Sequence, residues 1–153
     1  MTKKRKIYVA VSWVLVLACM GVIFYMSSAG GEESAEMSNS LIQRIFELTG
    51  LNISSFVIRK LAHFCEFAGL ALLITNAVFA SFESKKSTVV AFFDTCIYAA
   101  GDEIHQIFSD GRACQIRDML IDCSGALLGV AVAYFIILLY KKHIERNTRY
   151  GNS

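Results

Sequence analysis

Four stretches of the chain are nearly free of charge, and polar segments separate them. Residues 7–26 carry no ionisable group apart from Tyr8, Cys19 and Tyr25. At about 1.5 Å per residue such a run is about 30 Å long as a helix, the thickness of a bilayer's hydrocarbon core. Further apolar runs cover about 61–81, 88–108 and 119–140. The pattern predicts an all-α, polytopic membrane protein: a four-helix transmembrane bundle joined by short turns and by one long loop at 27–60. Within that loop Leu41, Ile42, Ile45, Phe46 and Leu48 recur at helical spacing. They predict a short surface helix at about 38–49, capped by Ser38 or Ser40.

The first run could instead be a signal peptide, with Ser27-Ser28-Ala29 as the cleavage signal. It is longer than the usual h-region, which favours an uncleaved span. Val16-Leu17-Ala18-Cys19 only faintly resembles a lipoprotein cleavage box, because Cys19 lies in the middle of the run.

Composition agrees with this reading. The chain has 153 residues, of which 55% are hydrophobic and 18% charged, a shift away from soluble domains towards membrane proteins. The length suits one domain, 1–153. Five cysteines without a CxxC pair read as small apolar residues, not as a disulfide or zinc framework. With no proline, no helix is forced to break. A net charge of +2 is too small to imply a nucleic-acid partner.

The position of the charges matters more than their sum. Basic residues gather at Lys3–Lys6, at Lys85 and Lys86, and at Lys141, Lys142, Arg146 and Arg149. With four spans all three groups fall on one side, which the positive-inside rule assigns to the cytoplasm, together with both termini. The 27–60 loop and the 107–118 turn then face outward. Arg112 and Arg117 in that turn break the rule, which suggests that they have a task.

The polar residues within the apolar runs share one depth. Lys60, His63 and Glu66 open the second run; Asp102, Glu103, His105 and Gln106 close the third; Asp118 and Asp122 open the fourth. Ionisable groups cost several kcal/mol in a bilayer, so a layer of them implies a partner or a wet cavity. Lys60, His63 and Phe67 share one stripe. Asp94, Tyr98, Asp102 and His105 fall on another, and Asp118, Asp122, Gly125 and Gly129 on a third. Each is expected to face the bundle interior, forming a polar pocket near the outer face. Gly125 and Gly129 should allow close helix approach.

Within such a pocket Arg112 and Arg117 would grip a phosphate or carboxylate. The carboxylates would hold a divalent cation or act as acid and base, and the histidines would ligate metal or move protons. The plainer reading is mutual neutralisation, through pairs such as Arg112–Asp102 and His63–Glu66. Asp94 lies deeper and has no obvious basic partner; Asn76 is the other polar residue of the inner half.

Two segments carry a resemblance. Lys60-x-x-His63-Phe64-x-Glu66-Phe67 is followed by Asp102-Glu103-x-His105-Gln106, Gly111-Arg112, Asp118 and Gly125-x-x-x-Gly129. Together with Phe24–Ser28 at the end of the first run, they resemble the VanZ-like family over about residues 5–140. Phe67 stands where a tyrosine is expected, and Ser109-Asp110 where proline is common. The resemblance implies a small multi-pass protein of the bacterial cytoplasmic membrane. It also links the chain to a namesake associated with low-level resistance to teicoplanin, a lipid-bearing glycopeptide.

Three functions are consistent with these residues. The pocket would bind an anionic lipid or cell-envelope precursor and so alter glycopeptide access. Alternatively, it would be the centre of a membrane-embedded hydrolase or transferase acting on a lipid-linked substrate. The third is a small transporter, which would have to be an oligomer and rests on Asp94 and Asn76.

Overall fold

In the computed structural model the chain is described over residues 1–84, 86–109 and 115–150. It forms five helices: α1 Lys3–Ser28, α2 Gly31–Thr49, α3 Ser55–Phe82, α4 Ser87–Gln106 and α5 Ile116–Tyr150. No described residue lies in a strand.

Three of them, α1, α3 and α5, are long and apolar enough to cross a membrane. The fourth expected span, α4, differs. Every 18-residue stretch of it contains Asp94, Asp102 and Glu103, so its composition alone does not mark it as a span. Large apolar side chains on the three apolar helices point outward, among them Val14, Leu17, Phe24, Leu127, Phe135 and Leu139. So large an apolar exterior is unfavourable in water and suits lipid.

The expected boundaries change in three places. α3 starts at Ser55, with the Ser54 hydroxyl accepting from the Val57 amide, so the 27–60 segment is mostly helix and not an open loop. α2 starts at Gly31, seven residues before the expected position, and Ser38 does not cap it. Glu32 and Glu33 in its first turn complement the helix dipole, and Ser38 is buried with its hydroxyl donating to the Ser34 carbonyl. The C-terminal basic segment is no separate tail but continues α5.

Gly50 ends α2 with φ +71°, a left-handed turn that costs glycine little, and its amide donates to the Phe46 carbonyl. At the end of α3 the guanidinium of Arg5 donates to the Ala80 carbonyl and pairs with Glu83 at 2.8 Å. That contact satisfies carbonyls the helix leaves open and brings the start of α1 to the end of α3.

The helices run as two parallel pairs. α1 and α4 run together, since Tyr98 donates to the Met20 carbonyl and Ser27 donates to Asp102. α3 and α5 also run together. Gly125 meets Phe64 and Gly129 meets Ala68, where a Cβ on either glycine would overlap the facing carbonyl oxygen. α3 touches every other helix, whereas α1 and α5 do not touch. The core therefore follows α3: Phe67, Leu70, Ile74 and Val78 pack with Val16 and Ile23 of α1 and with Ala91 and Ala99 of α4. The basic ends of α1 and α5 and the α3–α4 turn lie together. The opposite end collects the expected polar layer.

Candidate functional site

At that opposite end α1 and α4 finish while α3 and α5 begin. This alternation brings residues far apart in sequence to one level. Lys60 of α3 and Asp118 of α5 form an ion pair. Glu103 of α4 accepts from the Gln115 backbone amide at 2.9 Å, which joins α4 to the start of α5. Asp102 Oδ2 accepts from the Ser27 hydroxyl and from Gln106 Nε2, each at 2.9 Å. Gln106 Nε2 also donates to Ser27 at 2.9 Å, closing a three-residue ring between α1 and α4.

Asp122 sits at the centre of this group and is 1% exposed. Glu103, Asp102 and Asp118 are near enough for their charges to act on it, and Lys60 opposes them. Among the described residues its Oδ1 has no hydrogen-bond partner, and neither do the buried Oδ1 atoms of Asp102 and Asp118. Among the described residues, four carboxyl groups thus meet one paired lysine. Buried carboxylates in excess of their cations demand a proton or another cation, because desolvation of a bare charge is expensive.

His63 and Glu66 follow Lys60 along α3 and border a cavity against α2. Their side chains approach to 3.7 Å, and the cavity measures about 150 Å³. Ile58, Arg59 and Ala62 of α3 complete its wall with Met26 of α1 and Ser34, Met37, Ser38 and Leu41 of α2. The cavity therefore has an apolar body with one cationic and one acidic group on its wall. His105 stacks on Phe24 with ring centroids 4.2 Å apart, and among the described residues its buried Nδ1 has no hydrogen-bond partner.

Lys60, Asp102, Glu103, Gln106, Asp118 and Asp122 form one packed cluster, while His63 and Glu66 border the cavity. Arg112, with Gly111, lies outside the described residues. Arg117 is exposed, and its guanidinium lies 5.2 Å from the centre of the Phe56 ring; Lys60 lies 5.4 Å from the same ring. Among the described residues no three His, Cys, Asp or Glu side chains are placed to hold a metal ion.

One sequence expectation needs correction. Asp94 is exposed and does not share the interior face of Asp102. The interior stripe of α4 runs through Ser87, Ala91, Thr95, Ala99, Asp102 and Gln106, one residue away from Asp94. Asn76 is no isolated polar group. It accepts from Tyr8 at 2.7 Å and donates to Ser12 at 3.1 Å, which ties α3 to α1.

Sequence reasoning missed Ser27, Arg59 and the wall that α2 provides. Ser27 sits within the Phe24–Ser28 element of the resemblance, but its partners are 75 and 79 residues away, so no local spacing marks it.

No curated protein and no solved structure matches the chain. A family model described as VanZ/LLP1 matches residues 12–139, from the first turns of α1 to the middle of α5 and across both halves of the site. The chain belongs to the VanZ/LLP1 family.

Proposed function

We propose that this protein spans the bacterial cytoplasmic membrane four times, with both termini in the cytoplasm, and binds an anionic lipid or cell-envelope precursor at its outward end. By occupying or presenting that molecule it alters susceptibility to teicoplanin. The cavity between α2 and α3 carries this reading. Met26, Met37, Leu41 and Ile58 suit an acyl chain, while Arg59 on the same wall suits a phosphate or carboxylate. Arg117, held on Phe56, adds a second cation at that end. The basic clusters at the other end support the orientation, and the pairing of α4 with α1, α3 and α5 supports its crossing despite its charges.

The test is teicoplanin susceptibility of a sensitive Gram-positive host expressing the wild type, Arg59→Ala, Glu66→Ala or Arg112→Ala at matched membrane abundance. Protection by the wild type that the variants lose supports the reading. No protection by the wild type, together with no anionic lipid retained on the purified protein, overturns it.

A second reading, a hydrolase or transferase acting on a lipid-linked substrate, draws on Asp122. A fully buried carboxyl among three others is suited to hold a proton for acid–base chemistry. Turnover of a lipid-linked phosphate by the wild type but not by Asp122→Asn would favour it over binding.

A further inference from the structure

The two halves of α2 have different surroundings. Ser34, Met37, Ser38 and Leu41 form one stripe and border the cavity against α3. The helical repeat continues this stripe through Ile45 and Leu48, with Ile42 beside it. Beyond Leu41 the stripe no longer borders the cavity. Leu48 is 85% exposed, and among the described residues α2 packs against α3. The opposite face carries Glu32, Glu36, Gln43 and Glu47, with Gln43 donating to Glu47 at 3.1 Å.

An apolar stripe that faces the helices at one end and overhangs them at the other points at whatever surrounds those helices. Around a chain with three membrane-crossing helices that is lipid. Exposed Phe24 and Tyr25 at the end of α1, and Leu51 and Phe56 at the approach to α3, continue the same apolar belt. α2 is also tied at both ends. Ala29 and Gly30 join it to α1, and residues 50–54 join it to α3, a link that reaches at most about 17 Å.

We propose that α2 is an interfacial lid, whose C-terminal half is seated in the lipid of the adjoining leaflet by Ile42, Ile45 and Leu48 while its N-terminal half roofs the cavity. Its partner is a lipid surface. The outer face of α2 is acidic, so the seat is apolar and needs no anionic lipid. Seating of this kind opens the cavity towards the leaflet and not towards water. The inference rests on the membrane reading and is independent of what fills the cavity.

The chain has one tryptophan, which makes the test direct. In a Trp13→Phe background, Leu48→Trp and Gln43→Trp are each placed in phosphatidylcholine nanodiscs that hold a single copy. The lipid carries bromine on its acyl chains. Tryptophan at 48 is expected to emit at shorter wavelength and to be quenched by the brominated lipid about threefold more strongly than tryptophan at 43. Ile45→Trp should repeat the result at 48, guarding against a local effect of one substitution.

Equal quenching at 48 and 43 overturns the proposal. So does shielding at 48 that appears only in discs holding two copies, which would make a second copy the occupant. Lipid quenching at 48 with no anionic lipid retained by the protein would leave the lid standing and remove the ligand reading.

Discussion

Lys60 and Asp118 pair across two parallel helices, on the site side of the contact that Gly125 makes with Phe64. The pair ties α3 to α5 in the polar cluster. Its lysine also opposes Glu103 and Asp122. Replacing the lysine leaves a half-buried carboxylate without this cation; a fully buried one would cost about 3–5 kcal/mol, and partial exposure makes the cost smaller here. Lys60→Met is therefore expected to lower the Tm of the detergent-purified protein. The double variant Lys60→Met/Asp118→Leu should recover most of that loss. Equal Tm for Lys60→Met and the wild type would show that the pair contributes nothing to stability.

The two glycines of α5 make a sharper comparison. A Cβ on Gly125 would lie 3.0 Å from the Phe64 carbonyl carbon, and one on Gly129 would lie 2.8 Å from that of Ala68. Both neighbours are backbone, so α3 and α5 would have to separate. Gly125→Ala and Gly129→Ala are expected to destabilise by about 1–3 kcal/mol, the usual cost of overpacking. Gly101 of α4 has nothing within 4 Å of its Cβ position. Gly101→Ala should be neutral or stabilising by up to about 1 kcal/mol, from helix propensity alone. Thermal unfolding of the three variants checks the order.

How far the fold was legible follows from which signals are local. The apolar runs and the basic ends declare themselves by length and charge, and the spacing of Gly125 and Gly129 announces the close contact with α3. The face of α4 misleads. Asp94 and Asp102 are eight residues apart, and at about 100° per residue they diverge by about 80°. The interior stripe is instead marked by small residues at Ala91, Thr95 and Ala99, which let α4 lie close to its neighbours. The start of α2 was hidden because Gly30-Gly31 reads as loop, although Glu32 and Glu33 favour a helix start. The cavity beside the polar cluster depends on how α2 lies on α3. No periodicity in either helix encodes that.

Ser27 holds Asp102 and Gln106 at once. Ser27→Ala removes both bonds and leaves Asp102 Oδ2 with Gln106 alone. A lost partner in a buried network costs about 1–3 kcal/mol. Among the described residues Ser28 bonds the Phe24 carbonyl of its own helix and is exposed, so Ser28→Ala should change stability by no more than about 0.5 kcal/mol. Equal Tm shifts for the two alanine variants would mean that the ring of Ser27, Asp102 and Gln106 does not hold α1 to α4.

Asp94 and Asp102 share a helix but differ in surroundings, and that difference separates the binding and enzyme readings from transport. Asp94 is exposed on the side of α4 that carries Phe93 and Ile97. An ionisable group facing lipid is a cost to insertion, about 2.5–3.5 kcal/mol at mid-bilayer on translocon scales. Asp94→Leu is therefore expected to raise membrane abundance or Tm and to leave any teicoplanin phenotype intact. Asp102→Asn keeps the shape of the site, but the neutral amide accepts more weakly from Ser27 and Gln106 than a carboxylate does. It should lower Tm and abolish that phenotype. A proton or ion pathway through the monomer would require the reverse order, with Asp94 essential. Measuring abundance, Tm and susceptibility for both variants decides between the two: loss of function in Asp94→Leu with full function in Asp102→Asn would move the working site from the polar end of the chain to the outside of α4.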